Sequence, residues 1–139
     1  MLIDRDNPKH MQVEQRLWNE QILWIASVRP EGRPHLVPVW YLWDGEAFYI
    51  FSQPKAQKIA NLRRNPRVTL ALNTSPEGEE VAIIEGQAKL LPRPEWPDIL
   101  QAYQDKYGDQ IKAFGWTMET MAADYSLLIR VTPHKLLAW

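Results

Sequence analysis

The sequence predicts an antiparallel α+β barrel built as one domain over residues 1–139. Three observations carry that expectation. Six or seven short runs rich in Val, Ile, Leu, Tyr and Phe recur along the chain. Turn chemistry joins successive runs at hairpin distance, as in "RPEGRP" at 29–34 and "DG" at 44–45. The helical patterns are short and inserted in the order α-β-β-β-α-β-β-α-α-β, which favours hairpins over a parallel doubly wound sheet.

Residues 10–20 place Met11, Glu14, Leu17 and Trp18 at helical spacing. "ILWIASV" (22–28) reads as a buried strand, and "HLVPVWYLW" (35–43) as a second, with Pro38 marking an edge or bulge. "EAFYIFS" (46–52) returns across the Asp44-Gly45 hairpin as the third strand. A helix over 54–64 follows, with Ser52 or Gln53 in capping position, and stops at Asn65 because the residue before a proline avoids helical geometry. "RVTLALN" (67–73) and "VAIIEGQAKLL" (81–91) are further strands, the latter with Gly86 as a bulge. Residues 93–108 set Trp96, Ile99, Leu100, Tyr103 and Tyr107 on one helical face. A short helix over 117–124 precedes "YSLLIRVTP" and "KLLAW", two terminal strands divided at Pro133.

The formal net charge of −1 exerts no global pull on nucleic acid or membrane, but it conceals an asymmetry. Residues 47–76 carry Lys55, Lys58, Arg63, Arg64 and Arg67 without one acid, so the rest of the chain is net acidic. Lys55 and Lys58 fall at a helix start, where free N–H groups and the macrodipole favour negative charge. With the Ser52 hydroxyl at the preceding strand end they form a candidate phosphate site. Arg63, Arg64 and Arg67 lie near the other end of that helix, where the dipole itself favours cations.

No cysteine is present, which removes disulfides, thiolate metal sites and a cysteine nucleophile. His10, His35 and His134 are isolated in sequence and suggest no metal site. No apolar run reaches membrane-span length and no signal peptide is visible, so a cytoplasmic protein is expected. Of the seven tryptophans, Trp18, Trp24 and Trp96 fall on faces expected to be core. Trp116 and Trp139 fit no such face and suit a planar ligand or a dimer interface. No phosphate-loop, dinucleotide or nucleophile-elbow motif occurs, and Glu46 and Glu85 suit strand-edge charges better than a catalytic pair. If the protein is an enzyme, a bound cofactor carries the chemistry, and no side chain is named as catalytic.

Residues 24–72, above all "KIANLRRNPR" from Lys58 to Arg67, resemble the pyridoxamine-phosphate-oxidase-like split-barrel family. "YSLLIRVTPHKLLAW" is similar to that family's closing strand. Within the family, the chain most resembles the small branch of deazaflavin (coenzyme F-420) dependent oxidoreductases. The resemblance implies a six-stranded split barrel, a homodimer, and FMN or the deazaflavin in a groove between subunits. It puts Ser52, Lys55 and Lys58 at the cofactor phosphate, and Pro38, Val39, Trp40 and Tyr41 beside the ring. Trp139 approaches the same groove, from the partner subunit. The implied reaction is hydride transfer between the cofactor and a small organic substrate. Haem- or biliverdin-binding members of the fold supply the alternative, a carrier without turnover. Arg130 and His134 lack the spacing of the Arg- and His-bearing substrate motif of authentic oxidases, which argues against pyridoxamine phosphate as substrate. A single-stranded nucleic-acid binder is disfavoured, because the basic residues crowd one short segment.

Overall fold

The computed structural model describes residues 2–139; Met1, the first residue of the expected domain, lies outside the described residues. Helix α1 (Pro8–Asn19) leads into strands β1 (Ile22–Val28), β2 (Pro34–Trp40), β3 (Leu42–Trp43) and β4 (Phe48–Ser52). Helix α2 (Gln57–Arg64) is followed by β5 (Arg67–Ala71) and β6 (Ala82–Leu91). A 3-10 turn at Arg93–Glu95, α3 (Pro97–Ala113), α4 (Met118–Asp124) and β7 (Leu127–Ala138) complete the chain. The strands form one seven-stranded antiparallel sheet in the order β2-β1-β5-β6-β7-β4-β3.

The expected six strands become seven because residues 35–43 are not one strand. β2 and β3 occupy opposite edges of the sheet, yet Tyr41 alone separates them in the chain. The sheet must therefore curl until its two edges meet at that residue. The apolar run "VWYLW" hides the break, because periodicity reports which face is buried and not which strand is the neighbour.

At this corner Tyr41 lies outside both strand ladders, and α3 supplies its partners. The Tyr41 N–H donates to the Tyr107 hydroxyl at 2.9 Å. The Lys106 ammonium donates to the Tyr41 carbonyl at 3.0 Å and lies 3.8 Å from the centre of the Tyr41 ring. The Tyr107 hydroxyl in turn lies 2.6 Å from the Gln21 carbonyl and 2.7 Å from the Tyr41 carbonyl. Tyr41 itself is fully buried, and its own hydroxyl donates to the Leu17 carbonyl at 2.8 Å.

Two apolar clusters flank the sheet. Phe48 and Ile50 of β4 point into the barrel with Leu23, Ile25, Tyr41 and Leu70. Tyr49 and Phe51 point outward and pack under Tyr103, Tyr107, Ile111 and Met121 of α3 and α4. Burial on both faces explains why β4 shows no alternation in sequence. Trp96 is core, as expected, with its indole N–H on the Leu91 carbonyl at 3.0 Å. Trp18 and Trp24 correct the expectation. α1 buries Val13 and Leu17, which leaves Trp18 half exposed against Gly45. Trp24 is only partly buried, and its indole N–H donates to Asn73.

A register irregularity beside Gly86 is present, but the extra residue belongs to β7 and not, as expected, to β6; a Cβ on Gly86 would sit 2.6 Å from the Thr132 carbonyl oxygen. The expected break at Pro133 is absent, since β7 runs continuously past it. Glu85 pairs with Lys135 and Gly86 with Pro133, so His134 is the extra residue. The register irregularity absorbs the proline, which has no N–H to give a ladder.

Tyr107→Phe removes one hydroxyl and leaves the buried Tyr41 N–H without a partner. The expected cost is about 1–3 kcal/mol, read as a lower urea midpoint with an unchanged slope. An unchanged midpoint would show that the corner does not depend on this hydroxyl.

Candidate functional site

The basic segment organises around α2, whose start differs from the expected one. The Ala56 N–H bonds to the Gln53 carbonyl at 3.2 Å and closes a turn through Pro54 and Lys55. The helix therefore begins at Gln57, with Ala56 as its cap residue and no side-chain cap. Lys55 lies in the exposed turn, whereas Lys58 lies in the first helical turn, which carries no acid. Buried Asn61 fixes the helix to the barrel: it donates to the Ser27 hydroxyl at 2.9 Å and accepts from Gln57 at 2.9 Å.

Two residues that sequence reasoning missed join Lys58. His35 pairs with Ser27 across β1 and β2, so it shares the face against which α2 packs. Burial lowers the His35 pKa from its ordinary value, and repulsion from Arg29 and Lys58 lowers it further. Burial likewise lowers the Lys58 ammonium. Arg29 Nε and His35 Nδ1 are buried without a hydrogen-bond partner. None of the three side chains forms an ion pair among the described residues; the pairs present are Arg16 with Glu20 and Arg33 with Glu31. Uncompensated donors gathered at an uncapped helix start have the chemistry of an oxyanion site. In sequence, His35 stands alone and Arg29 opens a turn, so only strand pairing reveals the group.

A cavity of about 350 Å³ adjoins this cluster. Pro38, Val39 and Trp40 of β2 form one wall, and Gln53, Ala56 and Lys58 form the end nearest α2. Phe51, Tyr103, Phe114, Trp116, Met121 and Tyr125 form the remainder. Trp40 is held by stacking on Tyr107, with ring centres 4.7 Å apart and planes 7° from parallel. Pro38 needs no ladder partner on the open side of β2, an edge strand. The cavity thus presents a cation at one end and aromatic rings at the other, a shape suited to a phosphate-bearing planar molecule.

The profile of the pyridoxamine 5'-phosphate oxidase family matches residues 10–139. The chain belongs to that family. No curated protein sequence matches it. Among solved structures it is similar to an F420 reductase, with 25% identity and a TM-score of 0.68, covering 89% of this chain and 94% of that one. It is similar in fold to the haem-storage protein HutZ of Vibrio cholerae, with 17% identity, a TM-score of 0.73 and 92% coverage of both chains. A FAD-binding protein of Mesorhizobium loti shares the fold at 17% identity and a TM-score of 0.69, covering 91% of this chain and 90% of that one.

Of the eight residues singled out in the sequence of this family member, four line the one cavity: Pro38, Val39, Trp40 and Lys58. Ser52 ends β4 fully buried, and its hydroxyl donates to the Gln53 carbonyl at 3.0 Å, which leaves its lone pairs open. Lys55 is outside the wall, and the Tyr41 side chain turns into the core instead of toward the cavity. Trp139 lies in a separate shallow cleft with Lys9 and Arg16, its backbone paired with Val81. No helix is long and apolar enough to cross a membrane.

The cluster has a testable electrostatic signature. His35 is depressed in the free protein, so an anion beside it favours its protonated form. Sulfate, doubly charged from pH 5 to 9, should raise the melting temperature more at pH 6 than at pH 8, against chloride at equal ionic strength. In His35→Gln the two increments should be equal. A pH-independent increment in the parent protein would remove His35 from the anion site.

Proposed function

We propose that the protein is an oxidoreductase that moves a hydride between a flavin-type cofactor, FMN or the deazaflavin F420, and a small organic acceptor. The observation that carries this reading is the polarity of the cavity: Lys58 at one end, and the Pro38–Trp40 strand with an aromatic wall at the other. Lys58, Arg29, His35 and the α2 N–H groups would hold the cofactor phosphate, with Ser52 and Lys55 beside them. The orphaned buried nitrogens of Arg29 and His35 fit that group. Pro38, Val39 and Trp40 flank the ring, and the stack of Trp40 on Tyr107 fixes their position. Phe51, Tyr103 and Met121 exclude water from the ring's face. When bound, the cofactor supplies the centre that gives or takes the hydride; the chain supplies binding, orientation and dryness. The similarity to an F420 reductase supports the redox reading.

The likeness to a haem-storage protein keeps tetrapyrrole binding without turnover as the second reading. Among the described residues no histidine lines the cavity, which favours the first. We further propose a homodimer. Leu36 and Val28, neighbours on the paired β1 and β2, leave apolar area exposed, and Trp139 would reach the cofactor groove only from a second copy.

Titration with FMN and with F420, followed by absorbance, tests the reading and separates the two. Lys58→Ala should weaken the bound cofactor about ten- to a hundredfold, the equivalent of about 1.5–3 kcal/mol for a charge-assisted hydrogen bond. Arg64→Ala, in the last turn of α2, should change it little. Light scattering should give twice the 16.3 kDa chain mass. Unchanged affinity in Lys58→Ala would sink the phosphate assignment, and a haem spectrum in the purified protein would favour the second reading.

A further inference from the structure

A groove between α3 and α4 shares no lining residue with the cavity given to the cofactor. Its volume is about 390 Å³, within the range of small-ligand sites. Pro97 and Leu100 of α3, with Met118, Ala122 and Ala123 of α4, form an apolar floor. α4 is the partition between the two spaces. Met118 and Ala122, one turn apart, face the groove, whereas Met121 faces the cofactor cavity.

The charges of the groove stand at opposite ends. Arg93 closes the end beside Pro97: its guanidinium lies 4.7 Å from the centre of the Trp96 ring and donates to the Ala122 carbonyl at 3.4 Å. Because Ala122 meets Arg93, Glu119, about one turn earlier in α4, is set toward the Gln104 end. From Pro97 to Gln104 the groove runs about 10 Å at 1.5 Å per helical residue. Arg93 suits the last carbonyls of α4 and Glu119 its first turn, but a helix end carries only about half a charge and neutralises neither. Neither forms an ion pair among the described residues, where the pairs are Arg16 with Glu20 and Arg33 with Glu31. Between them lie two neutral amides, Gln104 and Gln101. The Gln101 nitrogen donates to Asp105 at 3.1 Å, which leaves its carbonyl oxygen open.

This pattern narrows the occupant. A fatty acid would leave Glu119 without a partner, and a polyamine would leave Arg93 without one. We infer that the α3–α4 groove binds a short apolar peptide by its free termini. The peptide carboxylate rests on Arg93 and its ammonium on Glu119, where charge-assisted hydrogen bonds form. Gln101 and Gln104 serve the backbone amides, and Leu100 and Met118 take the apolar side chains. Three extended residues span about 10 Å, the length between the two ends. Met118 gives the floor an adaptable surface for side chains of different shape.

The test is calorimetric titration of the full chain with trileucine, N-acetyltrileucine and trileucine amide. Each blocked form lacks one charge-assisted contact and should bind the parent protein about tenfold more weakly than trileucine. Glu119→Gln should bind trileucine about tenfold more weakly and the N-acetyl form as the parent does. Arg93→Gln should show the matching pattern with the amide. Both positions are exposed, and the comparison is made between ligands within each variant, so a change in stability does not imitate the result. Equal affinity for the three ligands, or no saturable heat with trileucine up to its solubility limit, overturns the inference. So does a Glu119→Gln variant that still discriminates against the N-acetyl form, or an Arg93→Gln variant that still discriminates against the amide.

Discussion

The fold turns on one residue that belongs to no strand ladder. Tyr41 joins the two edges of a curled sheet, and burying it there requires a partner for each of its backbone groups. Tyr107 and Lys106, adjacent on α3, provide them. The arrangement fixes the sheet seam and docks α3 in the same contact. It also places an ammonium against two ring faces, 3.8 Å from the centre of Tyr41 and 5.2 Å from that of Tyr107. Burial pulls the pKa of Lys106 down to about 8, opposed by the charge of Glu20. The carbonyl and the ring faces act with Glu20, since both favour the ammonium form.

From that corner the site follows. Tyr107, fixed by its hydroxyl, offers its ring to Trp40, and Trp40 ends the strand that walls the cavity. α3 then carries Tyr103 over Phe51, with ring centres 4.9 Å apart, and delivers Phe114 and Trp116 to the mouth. The opposite end depends on a second buried polar contact, Asn61 to Ser27, which presses α2 onto the face that bears His35. Two small hydrogen-bonded junctions therefore set the distance between the cation cluster and the aromatic wall.

Much of this was legible in the sequence. β1 falls on the expected residues, the Asp44-Gly45 hairpin forms, and Thr117 caps α4 through a reciprocal bond with Thr120. These signals are local, and local chemistry decides them. What escaped is non-local. The division at Tyr41 depends on which strands lie beside β2 and β3. The start of α2 shifts from residue 54 to Gln57 because a turn closed by Ala56 competes with the first helical turn. His35 and Arg29 join Lys58 only through strand pairing and helix docking, and spacing along the chain carries no trace of that. Phe114 showed no periodic pattern because a loop, not a helix face, presents it.

Hydrogen exchange at the Tyr41 amide tests most directly whether α3 closes the seam. The account predicts slow exchange, comparable with Ile50 in the middle of β4, and rapid exchange at Tyr41 but not at Ile50 once the Tyr107 hydroxyl is removed. Rapid exchange at Tyr41 in the parent protein would contradict it, because the corner would then be open to water and α3 free of the seam.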